Sequence, residues 1–287
     1  MTRLRSKRRS SRLRFTAAGR SAGKQMTILT SGIPMQISII KITCCCLCFL
    51  FLPFIGGCQK DTVVPEITIT ENDVADVLGS TLAYSSKGLV WQLGVGTEIA
   101  DSGKIPSQFK ITAAPIETTV TKQGSFGGYS FLYTARYRYE FSLLRDSLSF
   151  QYWLKGTYST PRISADDSAW ADLRITKFLG RDSCMINGTY NRLGTHTLKI
   201  REQKQFTSRV TATLTNVVFD KVTKRAVYGT ITLNVSGESS TGNTFSYSGV
   251  LAVYGNVPAS LILNDVTYEV DLNTGNATWV EDDDGGL

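Results

Sequence analysis

The chain is predicted to be mainly β: an antiparallel meander of about ten strands, closed into a barrel or laid down as a two-layer sheet, with one or two short N-terminal helices. Three observations predict it. From Tyr129 to Leu144 the sequence alternates strictly, with Tyr129, Phe131, Tyr133, Ala135, Tyr137, Tyr139, Phe141 and Leu143 on one side. Ser130, Thr134, Arg136, Arg138, Glu140 and Ser142 take the other side, which is the period of a half-buried strand. The C-terminal third is cut at short intervals by Asn, Asp and Gly, residues that tolerate the positive φ of tight hairpins. Apolar residues at helical spacing occur only ahead of this region.

Along the chain, 59–69 is a polar tether running into β-type residues. Thr70-Glu71-Asn72-Asp73 ahead of Val74, Val77 and Leu78 is a helix start. A second helical pattern runs from Leu89 to Ala100, weakened by Gly94 and Gly96. Together they make a helical or irregular segment, 70–107, before a β domain over 108–280. Leu148, Phe150, Tyr152 and Leu154 form a hairpin with the first strand across Arg145-Asp146-Ser147. Further strands are expected at Ala171–Phe178, Cys184–Tyr190, Thr195–Arg201, Phe206–Phe219, Ala226–Val235, Asn243–Tyr254, Ala259–Leu263 and Thr267–Leu272. So many strands with so few helices must curl or fold into layers to bury one face. Residues 281–287 form an acidic tail.

Charge and cysteine usage set the compartment. The net charge of +7 is misleading, because ten of the 31 basic residues and none of the 24 acidic ones lie in residues 1–57. The remainder is slightly acidic, which argues against nucleic acid as a partner. Ile42 to Ile55 is an uncharged run of fourteen residues containing Pro53. It is too short to span a bilayer as a helix, at about 1.5 Å per residue against a hydrocarbon core of ~30 Å. With Lys41 before it and Gly56-Gly57 after it, residues 35–57 have the layout of a secretory signal peptide. Cys44, Cys45, Cys46 and Cys48 belong to its apolar core, where cysteine acts as a small hydrophobe. Residues 1–34 are a basic extension longer than such signals need, and translation is expected to begin at Met35 or Met26.

The exit sequence Ile55-Gly56-Gly57-Cys58 resembles the lipobox of bacterial lipoproteins. The resemblance implies that a dedicated signal peptidase recognises Ile55, Gly56 and Gly57, and that Cys58 becomes the lipidated mature N-terminus. Its thiol is the nucleophile alkylated by a diacylglyceryl group, and the two glycines admit a close approach to the backbone. Gln59-Lys60-Asp61 resembles the surface-export signal of lipoproteins from a bacterial group whose outer surface is rich in them. Ile186–Tyr190, Gly229-Thr230, Phe245–Gly249 and Tyr268–Gly275 are similar to uncharacterised β-rich lipoproteins of that group. The implied address is the outer membrane or cell surface, with the membrane engaged through lipid on Cys58.

Candidate chemistry is thin, and neither a catalytic residue, a metal site nor a cofactor is assigned. His196 is the single histidine, read as an exposed turn residue, and no G-x-S-x-G or H-E-x-x-H motif accompanies it. Asp166-Asp167 and Asp172 are the nearest carboxylate cluster and read as turn composition. Cys184 reads as a reduced, passive thiol near a strand end. Glu281-Asp282-Asp283-Asp284 lacks the ligand spacing of a calcium loop, and the aromatic face at Tyr129–Phe141 reads as core. The expected function is a non-enzymatic, lipid-anchored envelope or surface protein whose β domain binds an unknown ligand or protein partner. Two other classes compete with it: a hydrophobic-ligand or lipid carrier, which needs an interior cavity, and a surface carboxylate-type glycoside hydrolase, which needs two acids facing each other.

Overall fold

The structure, a computed structural model, describes residues 66–102, 115–142, 144, 146–255 and 258–281. Two helices come first, α1 (Glu71–Leu82) and α2 (Leu89–Ser102). Eleven strands follow: β1 (Ile116–Phe126), β2 (Tyr129–Phe141), β3 (Ser147–Ser159), β4 (Ile163–Thr176), β5 (Ser183–Leu198) and β6 (Gln205–Asp220), then β7 (Arg225–Ser239), β8 (Thr244–Tyr254), β9 (Ala259–Leu263), β10 (Val266–Val270) and β11 (Ala277–Trp279). Each pairs antiparallel with its chain neighbour in a single sheet ordered β1 to β11. The class, the meander and the two N-terminal helices are those the sequence predicts. Of the two closures expected, the barrel is not formed: among the described residues β1 and β11 do not pair, and the helices supply a second layer.

Alternation decides which face the helices cover. Along β4, Ile163, Ala165, Ala169, Ala171, Leu173 and Ile175 are buried while Asp166, Asp172 and Arg174 are exposed. The buried set continues through Phe150 and Tyr152 on β3, Tyr190 on β5, Val210 and Leu214 on β6 and Leu233 on β7. Val74, Val77, Leu78 and Leu82 of α1 and Leu89 and Leu93 of α2 pack into the same core. Each such side chain contributes about 1.5–3 kcal/mol when fully buried. Gly96, which weakens the α2 pattern in the sequence, has a packing reason. A Cβ there would meet Phe150 and Ile175 at 2.9 Å, so the glycine lets α2 press against β3 and β4.

The N-terminal end of α1 is fixed by charge. Asp73 reaches back to the Thr70 amide (3.0 Å) and also accepts from Lys204 Nζ (2.9 Å) and Arg201 Nε (3.1 Å). Asp76 accepts from Arg162 Nε (2.7 Å) and from Arg201. Arg162 lies in the β3–β4 connection, and Arg201 and Lys204 lie in the β5–β6 connection. Burial acts to raise the Asp73 pKa, but the hydrogen bonds from Thr70 and Lys204 outweigh it and hold the carboxyl below its ordinary value. Negative charge in a first helical turn also suits the helix dipole. At its other end α1 runs into the β10–β11 connection: the Tyr84 and Ser85 amides donate to Leu272 O and Asn273 O, both at 2.9 Å.

Two expectations are corrected. Cys184–Tyr190 and Thr195–Arg201 are not separate strands, because the residues between them continue β5 without a turn. Gly194 is small for a packing reason, since a Cβ would lie 2.4 Å from Asp167 Cβ. The strand β1 is absent from the expected set because both of its faces are largely exposed, so it carries no alternation to read.

A column of irregularities bends the middle of the sheet. The β5–β6 register shifts between Ile186 and Gly188, opposite Asn216, a non-glycine residue at φ 51° whose amide donates to Asn187 Oδ1 at 2.8 Å. Past this bulge the buried positions of β6 change from even (Leu214) to odd (Val217) numbers. Gly188 sits at φ 142°, where a Cβ would meet Asp172 O at 2.2 Å. Gly188→Ala is therefore predicted to destabilise the domain by about 2 kcal/mol or more, as strain and clash add. Urea unfolding followed by circular dichroism checks this; a midpoint equal to wild type would mean the backbone there relaxes freely.

Candidate functional site

The inner face carries a polar cluster where α1 ends. Arg192, on β5, points inward among apolar neighbours and is 3% exposed; its ion-pair partner Asp167, on β4, is 4% exposed. Arg192 Nη1 donates to Thr81 O (3.1 Å), a carbonyl of the last turn of α1, where a cation complements the helix dipole. The guanidinium carbon lies 4.7 Å from the Tyr158 ring centre. Desolvation would lower the Arg192 pKa, but Asp167, Tyr190 and Tyr158 raise it, and the group stays charged. Burial pushes Asp167 up against the pull of that charge.

His196 lies four residues further along β5 on the same face and corrects the sequence reading. It is 1% exposed and mid-sheet, not in a turn. Nε2 is 2.9 Å from Ser208 Oγ on β6, and Nδ1 has no hydrogen-bond partner among the described residues. Burial, helped by the charge of Arg192, pushes its pKa down to about 3, so the ring is neutral at physiological pH.

The turn between the helices contributes a caged lysine. Lys87 is buried at φ 61°, with Nζ 3.5 Å from the Trp91 ring centre, 4.6 Å from Phe131, 5.3 Å from Tyr84 and 5.7 Å from Phe126. These aromatic faces replace a carboxylate as its counter-charge. Burial, with a smaller contribution from Lys122, lowers its pKa to about 8. The turn thereby touches both ends of the strand order, β1–β2 through Phe126 and Phe131 and β10–β11 through Leu272 and Asn273. Between Lys87, Ser86, Tyr158 and Arg192 the remaining space is about 10 Å³, no more than a single water needs. Among the described residues Arg192 is therefore balanced by Asp167 and Lys87 by its aromatic cage, and the space between them is too small for a ligand.

Larger spaces lie outside. A cleft of about 500 Å³ opens between the helices and the strand connections, bordered by Tyr84, Val90, Arg225, Val253, Pro258 and Asn273. On the outer face of the sheet, Trp153 of β3 and Trp170 of β4 are directly opposite in register, and the Arg136 guanidinium lies 4.3 Å from the Trp153 ring centre.

The sequence-predicted residues distribute as follows. Ile55, Gly56, Gly57, Cys58, Gln59, Lys60 and Asp61 lie outside the described residues. Asp166, Asp167 and Asp172 do not occupy a turn, as composition suggested, but sit within β4, with Asp167 inward and the other two outward. The aromatic face of β2 is core: Tyr133, Ala135 and Tyr137 are buried, and Tyr137 donates to Gln92 Oε1 of α2 at 2.9 Å. Cys184 is a free, buried thiol whose pKa burial raises to about 12. Arg192 and Lys87 escape sequence reasoning; their one local trace is a charge at an inward position of an alternating strand and a lysine within four residues of Tyr84 and Trp91. Comparison with protein-family models, curated proteins and solved structures found no match for the chain.

Two outcomes follow from these interior groups. Arg192→Met is expected to cost about 3–5 kcal/mol by stranding Asp167, whereas Arg192→Met with Asp167→Leu recovers more than half of the loss. Urea denaturation of the single and double variants measures it, and additive losses would mean the two charges are not coupled. For His196, the folded-state pKa lies below the unfolded value of about 6.5. The unfolded chain then binds the extra proton, so stability present above pH 6.5 is lost as pH falls toward 3, at up to about 1.4 kcal/mol per pH unit. His196→Phe should remove this component from the pH dependence of the melting temperature; parallel profiles for the two proteins would contradict it.

Proposed function

We propose that the protein is a lipid-anchored envelope or surface lipoprotein whose β domain is a non-catalytic binding module. The observation that carries the reading is Ile55-Gly56-Gly57-Cys58 at the exit of a short apolar run, followed by a polar tether and a domain with its own core. One acyl chain holds a protein only marginally, and two or three hold it stably, at about 0.8 kcal/mol per buried methylene. Among the described residues no helix is long and apolar enough to cross a membrane, a fact that bears only on helices.

The interior supports external binding over carriage of a hydrophobic ligand, since side chains of α1 and α2 occupy the space beneath the inner face. The carboxylate placement gives no support to a glycosidase. Asp166 and Asp172 share the outer face six residues apart on one strand, roughly 20 Å at about 3.4 Å per residue. Paired hydrolase acids stand about 5–9.5 Å apart.

Cys58→Ala is expected to abolish incorporation of a fatty-acid analogue and to move the protein from the detergent-rich to the aqueous phase, with the circular dichroism of the β domain unchanged. Continued labelling of the variant would place the lipid elsewhere and sink the assignment.

A further inference from the structure

The outer face of β2–β5 carries a row of tryptophans flanked by cations. Cross-strand register aligns Arg136, Trp153, Trp170 and Asn191 in one row perpendicular to the strands. Trp153 is 37% exposed, and Trp170 is half-buried beside it. Outward neighbours two residues along are Gln151 and Lys155 on β3 and Ser168 and Asp172 on β4. The indoles lie side by side on the open sheet surface, flanked by the long side chains of Arg136, Gln151 and Lys155 and the short ones of Ser168, Asp172 and Asn191. Hollows border the platform along the strand direction. One, of about 780 Å³, is walled by Gln123, Leu132, Thr157, Asp166 and Thr195; the other, of about 500 Å³, by Glu140, Ser149, Asp172, Arg174 and Asn187. From Thr157 to Ser149 the track runs roughly 27 Å at about 3.4 Å per residue.

Charge selects the occupant. Beside the indoles themselves Arg136, Arg138 and Lys155 stand against Asp172, while Asp166, Glu140 and Arg174 lie further out in the two hollows. Among the described residues neither Arg136 nor Lys155 has an ion-pair partner, and Arg138 meets Glu117 only at 3.8 Å. Exposed cations held beside indoles and left without a counter-ion suit an anionic ligand with a flat apolar face. Surrounding amides and hydroxyls, with Asp172 as an acceptor, suit a ligand rich in hydroxyl donors. We infer that this face binds an extended acidic glycan, its sugar rings lying on Trp153 and Trp170 and its carboxylate or sulfate groups meeting Arg136 and Lys155. Single-stranded nucleic acid shares the combination of rings and negative charge, but its backbone offers few hydroxyl donors to Asp172 and to the surrounding amides and hydroxyls.

The inference deepens the binding-module reading and rests on it for exposure of this face to glycans. The test uses the full-length protein in detergent micelles, titrated with polygalacturonate, a sulfated galactan, neutral dextran and a thymidine 20-mer. Tryptophan fluorescence is followed, with calorimetry as the binding readout. Saturable binding to at least one acidic glycan, weakened by salt, is expected, with dextran and the oligonucleotide at least about tenfold weaker. Polygalacturonate against sulfated galactan distinguishes carboxylate from sulfate. Trp153→Ala should weaken binding about tenfold or more. Should that variant misfold, Arg136→Gln with Lys155→Gln, both exposed, must produce the loss. Absence of binding to both acidic glycans, binding indifferent to these substitutions, or tighter binding to the oligonucleotide would each overturn the inference. Fatty-acid labelling of the same preparation reports separately on the anchor.

Discussion

A sheet with one apolar face must cover it, and here the cover is a pair of helices drawn from the same chain. That requirement organises everything else. The sheet is open, so two helices lie against its inner face instead of a sealed barrel core. A helix placed there brings its polar ends with it, and each end needs partners away from water. At the start of α1 the partners are Arg162, Arg201 and Lys204, gathered from two strand connections around Asp73 and Asp76. At its end the partner is Arg192, reaching from the middle of β5 to Thr81 O. Arg192 needs Asp167 in turn, and Asp167 needs the missing side chain of Gly194. The buried charges are consequences of lodging a helix against a sheet.

How far the sequence foretold this depended on whether the relevant partner was near in the chain. β2, β3 and the strands of the C-terminal third were legible because alternation records a local fact, that one face is covered and the other is wet. β1 was not, since Thr118, Thr119, Thr121 and Lys122 are wet on both faces. β5 reads as two strands because Arg192 and Gly194 interrupt its apolar alternation until Asp167, 25 residues before Arg192, explains both. His196 was misjudged for the same reason: Ser208 hides it across a strand pair. The Arg192 contact to Thr81 spans 111 residues, and no short window contains it. The proposed anchoring motif is the opposite case, since a lipobox reading of Ile55 to Cys58 rests on the string itself and needs no fold.

The division between faces also separates stability from recognition. The inner ion pair of Arg192 and Asp167 is spent on itself and leaves room for about one water beside it, whereas the outer rows carry Thr, Ser, Asn and Arg side chains open to solvent. Substitutions on the two faces should therefore have different consequences: folding suffers from the first set, and the proposed glycan binding from the second.

The helical hairpin is first in the chain and last to be satisfied. Sheet pairing joins only neighbours in sequence, so the meander can zip up strand by strand as the polypeptide emerges. The contact of Ser85 Oγ with Thr274 O joins positions 189 residues apart, and α1 rests against β9, β10 and β11 as well as β4 and β5. A chain delivered N-terminus first thus presents Val74, Val77, Leu78 and Leu82 long before the strands that shelter them exist. Shelter from β4 and β5 comes midway and that from β9 to β11 only with the last of the described strands, so the domain reaches its cooperative native state only once those have arrived.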